Sequence, residues 1–554
     1  MHTDIRAAGD AAASADQPYA YPLLIKQLLH TPLAHAPDQE IVYRDVCRHT
    51  YRDLGARIGR LGSALSRLGV GFGDTVAVAD WDSHRYLESY FAIPMLGAVL
   101  MTVNVRLSPE QIAYTIDHCG AETLLINTEF LPILDGIRER LPKLKRIVLL
   151  SDEPCDPAAV GAVGEYEALL AAADPQHAFP DFDENTRATT FYTTGTTGLP
   201  KGVFFSHRQL VLHTLGTLGG LAGAVSGQRF HRGDVYMPIT PMFHVHAWGL
   251  PYVATMLGVK QVYPGRYVPD MLLQLRRTEG VTFSHCVPTI LQMLLLAPAA
   301  KEMDLSGWKM VIGGSAFTVG LATQAVARGM DVFTGYGMSE TCPILTLAQL
   351  KPADLDLPPE QTVPNRCRTG LPIPLVNLRI VDGNLDDVAH DDQAQGEVVV
   401  RAPWLTQGYL NDADATAHLW RGGWLHTQDI GRIAPSGSLQ ITDRIKDVIK
   451  SGGEWISSLE IETLISQHPA VAEVAVLGVP DARWGERPLP VVVPKAGAEG
   501  LTAEDIIAHL RAFADAGRIS RFAVPDQVRF AESLEKTSVG KINKRQMRER
   551  YAAG

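Results

Sequence analysis

Residues 192–202 read YTTGTTGLPKG, a run in which Thr193, Thr194, Thr196 and Thr197 are interleaved with Gly195 and Gly198 and closed by Pro200 and Lys201. Glycines let a loop turn its backbone N–H groups inward, threonine hydroxyls add donors, and a terminal lysine adds a mobile point charge. Such a loop suits an anion, and phosphate fits best. Taken alone, the run also reads as a solvated turn. It is not the common nucleotide loop, because G-x-x-x-x-G-K-[ST] requires Gly immediately before the lysine, and Pro200 stands there. Nor is a dinucleotide fingerprint present: GYGMSE (335–340) supplies G-x-G but places Glu340 where the third glycine belongs.

Other residues of the right type for phosphate chemistry lie far apart along the chain. They include Glu340 and Thr341, Asp429 in HTQDIG (426–431), Arg444 in ITDR, and Lys541 in KTSVGKINK (536–544). A fold must gather them. The chain of 554 residues exceeds one core and calls for at least two domains. Apolar residues make up 46% and charged residues 20%, the balance of a globular enzyme, and the net charge of -11 argues against nucleic acid as a partner.

The elements that must position these residues are legible as alternating strands and helices. DTVAVAD (74–80), ETLLIN (122–127), RIVLLS (146–151), VTFSHCV (281–287) and KMVIGGS (309–315) read as buried strands, and DLGARIGRLGSALSRLG (53–69) has helical spacing. The expected class is α/β, with largely parallel sheets. After about residue 370, RIVDGN, GEVVVRAP and GSLQITDR read as hairpin strands, and strand–helix alternation resumes from Ile461. The expected division is a tail over 1–17, a large layered domain with a β-rich subdomain over 18–442, a hinge at 443–448 and a small, mobile α+β domain over 449–554. Prolines interrupt the uncharged stretches 89–105 and 235–259, so neither is expected to span a membrane. The six cysteines are scattered with no C-x-x-C pair; neither a zinc site nor a disulfide framework is expected, and a reducing cytosol fits.

Together, YTTGTTGLPKG, GYGMSET, HTQDIG, DRIKDVIKSGGEWIS (443–457) and KTSVGKINK resemble the ordered motif set of the adenylate-forming superfamily, which includes acyl-CoA synthetases, luciferases and peptide-synthetase adenylation domains. PMFHVHAWGLPY (241–252) and KSGGEWIS are most similar to bacterial fatty acyl-CoA synthetases. The resemblance implies activation of a carboxylate by attack on the α-phosphorus of ATP, followed by displacement of AMP by the thiol of coenzyme A.

It implies roles residue by residue. Thr193 to Lys201 would hold the β- and γ-phosphates, with Thr194, Gly195, Thr196, Thr197 and Gly198 as the loop. Glu340, with Thr193, would hold Mg²⁺. Gly314, Ser315, Ala316, Gly335, Tyr336 and Gly337 would shape the adenine pocket, Thr341 would meet the α-phosphate, and Asp429 and Arg444 the ribose. Lys541 would bridge carboxylate and α-phosphate, and Lys446 would be the hinge. Gly452, Gly453, Glu454 and Trp455 would face the pantetheine arm. His244, Trp248 and Gly314 would line the acyl tunnel, with Trp248 open to two readings, tunnel gate or core tryptophan. Enzymes of this kind are often homodimers. Three positions depart from the usual pattern: Gln428 for Gly, Thr194 for Ser, and Glu535 for Pro.

Overall fold

The computed structural model describes residues 18–193, 199–451, 454–498, 500–537 and 541–551. The short β-branched runs form two large sheets. One has seven strands in the order 164–165, 146–150, 123–127, 75–79, 99–102, 187–192 and 202–206, parallel except at the last pair. Every residue of Thr75–Ala79 and Thr123–Asn127 is buried, as expected of parallel strands covered on both faces.

The second sheet has nine strands, with a parallel centre formed by Asp331–Gly337, Lys309–Ile312, Phe283–Cys286, Val235–Pro238, Lys260–Tyr263 and Glu40–Tyr43. Antiparallel strands finish it at both edges: Cys47–Thr50 on one side, Ile344–Leu347 and Leu371–Pro372 on the other. A single apolar core joins side chains of both sheets with those of helices Tyr51–Arg67, His84–Met95 and Leu250–Leu257. His84–Met95 is buried along its whole length.

Helix Tyr51–Arg67 starts two residues before the run that shows its periodicity. Thr50 and Asp53 form a reciprocal capping box there, which satisfies two N–H groups that the first turn cannot. The β-rich region is a four-stranded antiparallel sheet of Asn377–Val381, Gly396–Arg401, Leu425–Ile433 and Leu439–Arg444. A last sheet, built on the long hairpin Val471–Asp481 and Gly485–Pro494, packs with helices Ser458–Ile465 and Ala503–Asp515 around a separate core.

The strand Leu439–Arg444 and the strand Ile449–Ser451 are joined by a tight turn, in which Asp447 and Val448 donate to the Arg444 carbonyl at 2.8 and 2.9 Å. Contacts across this junction are close. An added Cβ on Gly320 would stand 2.5 Å from the Ser466 carbonyl oxygen, so a side chain at 320 would push the last sheet's domain away. Among the described residues no helix is long and apolar enough to cross a membrane, and all six cysteines are free.

Candidate active site

Three of the motif segments meet at one pocket, lined by His244, Val245, Trp248, Gly314, Gly335, Tyr336, Gly337 and Lys541 among others. They come from four places in the chain: the turn 244–248, the end of strand Lys309–Ile312, strand Asp331–Gly337 and the segment of Lys541. Strand Lys309–Ile312 delivers Gly314, whose φ of +83° belongs to the left-handed region that glycine tolerates. A Cβ there would lie 3.1 Å from Cε of Lys541. The absence of a side chain at 314 therefore lets the lysine from the C-terminal region enter. Gly313 makes a similar allowance: its Cβ would meet the Gly335 carbonyl at 2.6 Å and the Trp248 ring at 3.0 Å.

Tyr336, Asp429 and Arg444 form a connected chain. The Tyr336 hydroxyl donates to Asp429 Oδ2 at 2.8 Å, and Arg444 Nε donates to Oδ1 at 3.2 Å. Asp429 and Arg444 are cross-strand neighbours in the four-stranded sheet, so their meeting is fixed by register. Gln428, just before Asp429, has φ +60°. The usual glycine at this position thus has a physical reason, and the glutamine adopts the same conformation at a steric cost.

Glu340 is buried, and burial raises its carboxyl above the usual range against the pull of Tyr409, Arg444 and Lys541. Its Oε1 accepts from the Tyr409 hydroxyl at 2.6 Å, and Lys201 Nζ lies 4.7 Å from the centre of the Tyr409 ring. Tyr409 thus links the loop lysine to the carboxylate. The motif reading passed over it, because a tyrosine in an irregular segment (TQGYLND) carries no periodic signal.

Lys541 is tied back to Thr537, whose N donates to the Lys541 carbonyl at 2.7 Å and whose Oγ1 accepts from Lys541 N at 3.2 Å. Burial, with Arg444 adding repulsion, lowers its ammonium to about 8 although Asp429 and Glu340 oppose the shift. Glu535, in place of the usual proline, pairs through its side chain with Arg550 at 2.6 Å, which ties the loop to the last helix, and its backbone carbonyl accepts from Asn543 N at 2.8 Å.

On the opposite wall, Val245 to Gly249 form a left-handed turn, with φ between +48° and +71° at all five residues. The turn seats Trp248 5.0 Å from the His285 ring and leaves it 5% exposed. Burial, then Lys541 and Arg106, lowers His244 to about 3, so its imidazole is neutral near pH 7.

Other expected residues lie differently. Thr341 is fully buried, with its hydroxyl accepting from Met338 N at 3.0 Å and donating to the Pro343 carbonyl; a phosphate contact would require that turn to reopen. Ser315 and Ala316 are exposed and do not line the pocket. Thr193 Oγ1 accepts from Lys201 N at 3.3 Å. Lys446 lies on the exposed turn after Arg444. Thr194, Gly195, Thr196, Thr197, Gly198, Gly452 and Gly453 lie outside the described residues, as do the side chains of Glu454 and Trp455.

The model of the AMP-binding enzyme family matches residues 29–410, and that of the AMP-binding enzyme C-terminal domain matches 460–541. The chain belongs to the AMP-binding enzymes. It is 41% identical to a long-chain-fatty-acid–CoA ligase of Thermus thermophilus over 525 residues, 93% of each chain. It is 38% identical to a 3-methylmercaptopropionyl-CoA ligase of Ruegeria lacuscaerulensis over 541 residues, 96% of this chain and 97% of the relative. The fold of this AMP-binding enzyme matches an anthranilate CoA ligase solved with anthranoyl-AMP, at a TM-score of 0.84 and 24% identity over 97% of this chain and 98% of that one.

Proposed function

We propose that this AMP-binding enzyme is an ATP-dependent ligase that joins a medium- or long-chain fatty acid to coenzyme A through an acyl-adenylate. The observation that carries this reading is Lys541, placed between a nucleotide wall of Tyr336, Asp429, Arg444 and Glu340 and an apolar wall of Val245, Trp248 and Ile344. A carboxylate oxygen attacks the α-phosphorus, pyrophosphate leaves, and the thiol sulfur then attacks the acyl carbon and releases AMP. The first step brings two anions together. A cation fixed beside both, in a site that excludes most water, stabilises the charge that builds up between them.

The residues present fit a divalent cation. Glu340 is a buried carboxylate with no ion pair among the described residues, and a hard cation favours one or two carboxylates together with phosphate oxygens. In this reading Glu340 and Thr193 hold Mg²⁺, which neutralises phosphate charge when bound. Asp429 accepts from the ribose hydroxyls, Tyr336 covers the adenine, and Lys201 with its loop contacts the outer phosphates.

Lys541 would block the approach of the thiol, so the second step needs the C-terminal domain (449–554) to rotate about Lys446 and bring the segment around Gly452 to Trp455 to the acceptor side. A homodimer in the cytoplasm completes the reading. The Ruegeria relative supports a second reading in which the acid is a short thioether.

The test is CoA-dependent AMP formation with ATP and Mg²⁺ across straight-chain acids from acetate to palmitate, with a thioether acid and benzoate alongside. The expected maximum lies at medium or long chains. A maximum at the thioether or aryl acid would keep the two-step chemistry and overturn the fatty-acid assignment.

A further inference from the structure

At the edge of the nine-stranded sheet, strand Cys47–Thr50 pairs antiparallel with Glu40–Tyr43. Alternation along a strand puts Cys47 and His49 on one face and Arg48 on the other, where it binds Glu40 and Glu279 at 2.8 and 3.0 Å. The face with Cys47 and His49 looks onto the first residue of helix His84–Met95. There His84 Nδ1 lies 3.6 Å from Cys47 Sγ, and the two imidazole rings have centroids 5.4 Å apart. One ligand atom from each of the three residues falls within 4.8 Å of the others.

We propose that Cys47, His49 and His84 form a binding site for one zinc-class divalent metal ion, with Glu167 as the carboxylate that orients His84. A tetrahedral ion with bonds of about 2.0–2.3 Å has ligand atoms about 3.4–3.6 Å apart. The Cys47–His84 spacing of 3.6 Å already matches that value, and the other pairs, all within 4.8 Å, lie close enough for side-chain rotation to bring them to it. A thiolate with two imidazoles is a soft to intermediate donor set that suits zinc and disfavours magnesium or calcium.

The surroundings are also those of a metal site. His84 Nε2, the nitrogen turned away from Cys47, lies 3.2 Å from Glu167 Oε1, which reproduces the carboxylate–histidine–metal relay that fixes tautomer and ring orientation. Glu167 is held in turn by Arg57 at 2.8 Å. The positive charge nearby is balanced, because Arg57 also pairs with buried Glu88 at 2.6 Å and Arg85 with Asp152 at 2.8 Å. Cys47 and His49 are partly exposed while His84 is buried, which leaves a path for the ion and a fourth position for water. Such an ion would tie the edge hairpin of one large sheet to helices that cover the other. It stands apart from Glu340, whose oxygen chemistry selects a different metal.

The test uses the full-length protein after chelator treatment, titrated with Co²⁺ and then Zn²⁺. One Co²⁺ per chain is expected to produce a thiolate-to-cobalt charge-transfer band with the intense visible bands of tetrahedral cobalt, and Zn²⁺ should erase both. Cys47→Ser should remove the charge-transfer band, His49→Ala should abolish tight binding, and Glu167→Gln should weaken Zn²⁺ binding about 10- to 100-fold. Zn²⁺ should raise the thermal midpoint of the parent protein and not that of His49→Ala, whose partly exposed position keeps folding out of the question. Absence of the charge-transfer band, or equal Zn²⁺ affinity in the parent, Cys47→Ser and His49→Ala, would overturn the site and leave Cys47 and His84 as a thiol–imidazole pair without metal.

Discussion

The pocket has two walls built in different ways. The polar wall, to which we assign the nucleotide, is an assembly of side chains: Tyr336, Asp429 and Arg444 in one hydrogen-bonded chain, Tyr409 hydrogen-bonded to Glu340 with Lys201 over its ring, and Lys541 facing both groups. The apolar wall is set by backbone shape. Five consecutive left-handed residues, 245–249, set Trp248 against His285 with the ring planes tilted by 42° and bury His246 with neither ring nitrogen partnered among the described residues. Burial pushes His246 and His285 down to about 3, so this wall carries no charge near pH 7. Charge on the first wall can be removed one group at a time, whereas the second can be changed only in shape. The first should govern rate and the second selectivity.

The largest effect should come from the one group that belongs to both walls. Lys541→Ala is expected to lower adenylate formation by about 10²- to 10³-fold, the usual cost of losing one charge-stabilising donor, while CoA transfer to supplied acyl-adenylate stays within a few-fold. Pyrophosphate exchange and single-turnover thiolation measure the two halves separately. Equal loss in both would mean that Lys541 maintains structure instead. The free enzyme adds a pH signature. With the ammonium lowered to about 8, Lys541 is a cation below that pH and neutral above it, so kcat/KM for ATP should fall as pH rises through about 8, and the residual activity of Lys541→Ala should lack that limb.

A smaller and different effect is expected at the apolar wall. Trp248→Ala should shift or broaden the chain-length profile by about fourfold per methylene accommodated, following about 0.8 kcal/mol per buried CH₂, with little change in KM for ATP. Truncating a side chain that is only 5% exposed also costs stability, about 3–5 kcal/mol for a fully packed tryptophan, so the profile is read as ratios between acids in one preparation. An unchanged profile would assign Trp248 to the core and leave the tunnel wall to its neighbours.

The two walls also differ in how far the sequence announced them. The buried strands at 75–79, 123–127 and 309–312 and the helix beginning near residue 53 follow from burial and period, and the motif residues Gly314, Tyr336, Asp429, Arg444 and Lys541 do come together. What could not be read depends on tertiary position. Tyr409 matters because the Gly202 carbonyl, which accepts from Leu410 N at 2.8 Å, holds its segment beside Lys201. The left-handed turn at 245–249 contradicts the local preference of valine, alanine and tryptophan, and only surrounding packing sustains it. His84 lies 37 residues from Cys47, so the donor cluster exists only in the fold.

The smallest expected effect lies at the one place where the nucleotide wall borrows the backbone device of the other. Gln428 at φ +60° holds a conformation that costs a non-glycine residue about 1–2 kcal/mol, and glycine there would relieve it while giving back about 0.5–1 kcal/mol in chain entropy. The net gain for Gln428→Gly should therefore be about 1 kcal/mol or less. Gln428→Val should lose stability, because a β-branched side chain tolerates this region worst. If the residue does no more than aim Asp429, the two variants will differ in thermal midpoint while KM for ATP moves only in the valine variant. A change in KM for ATP in Gln428→Gly would show that the glutamine side chain itself contributes to the nucleotide wall, which would then rest on one more polar group than the motif carries.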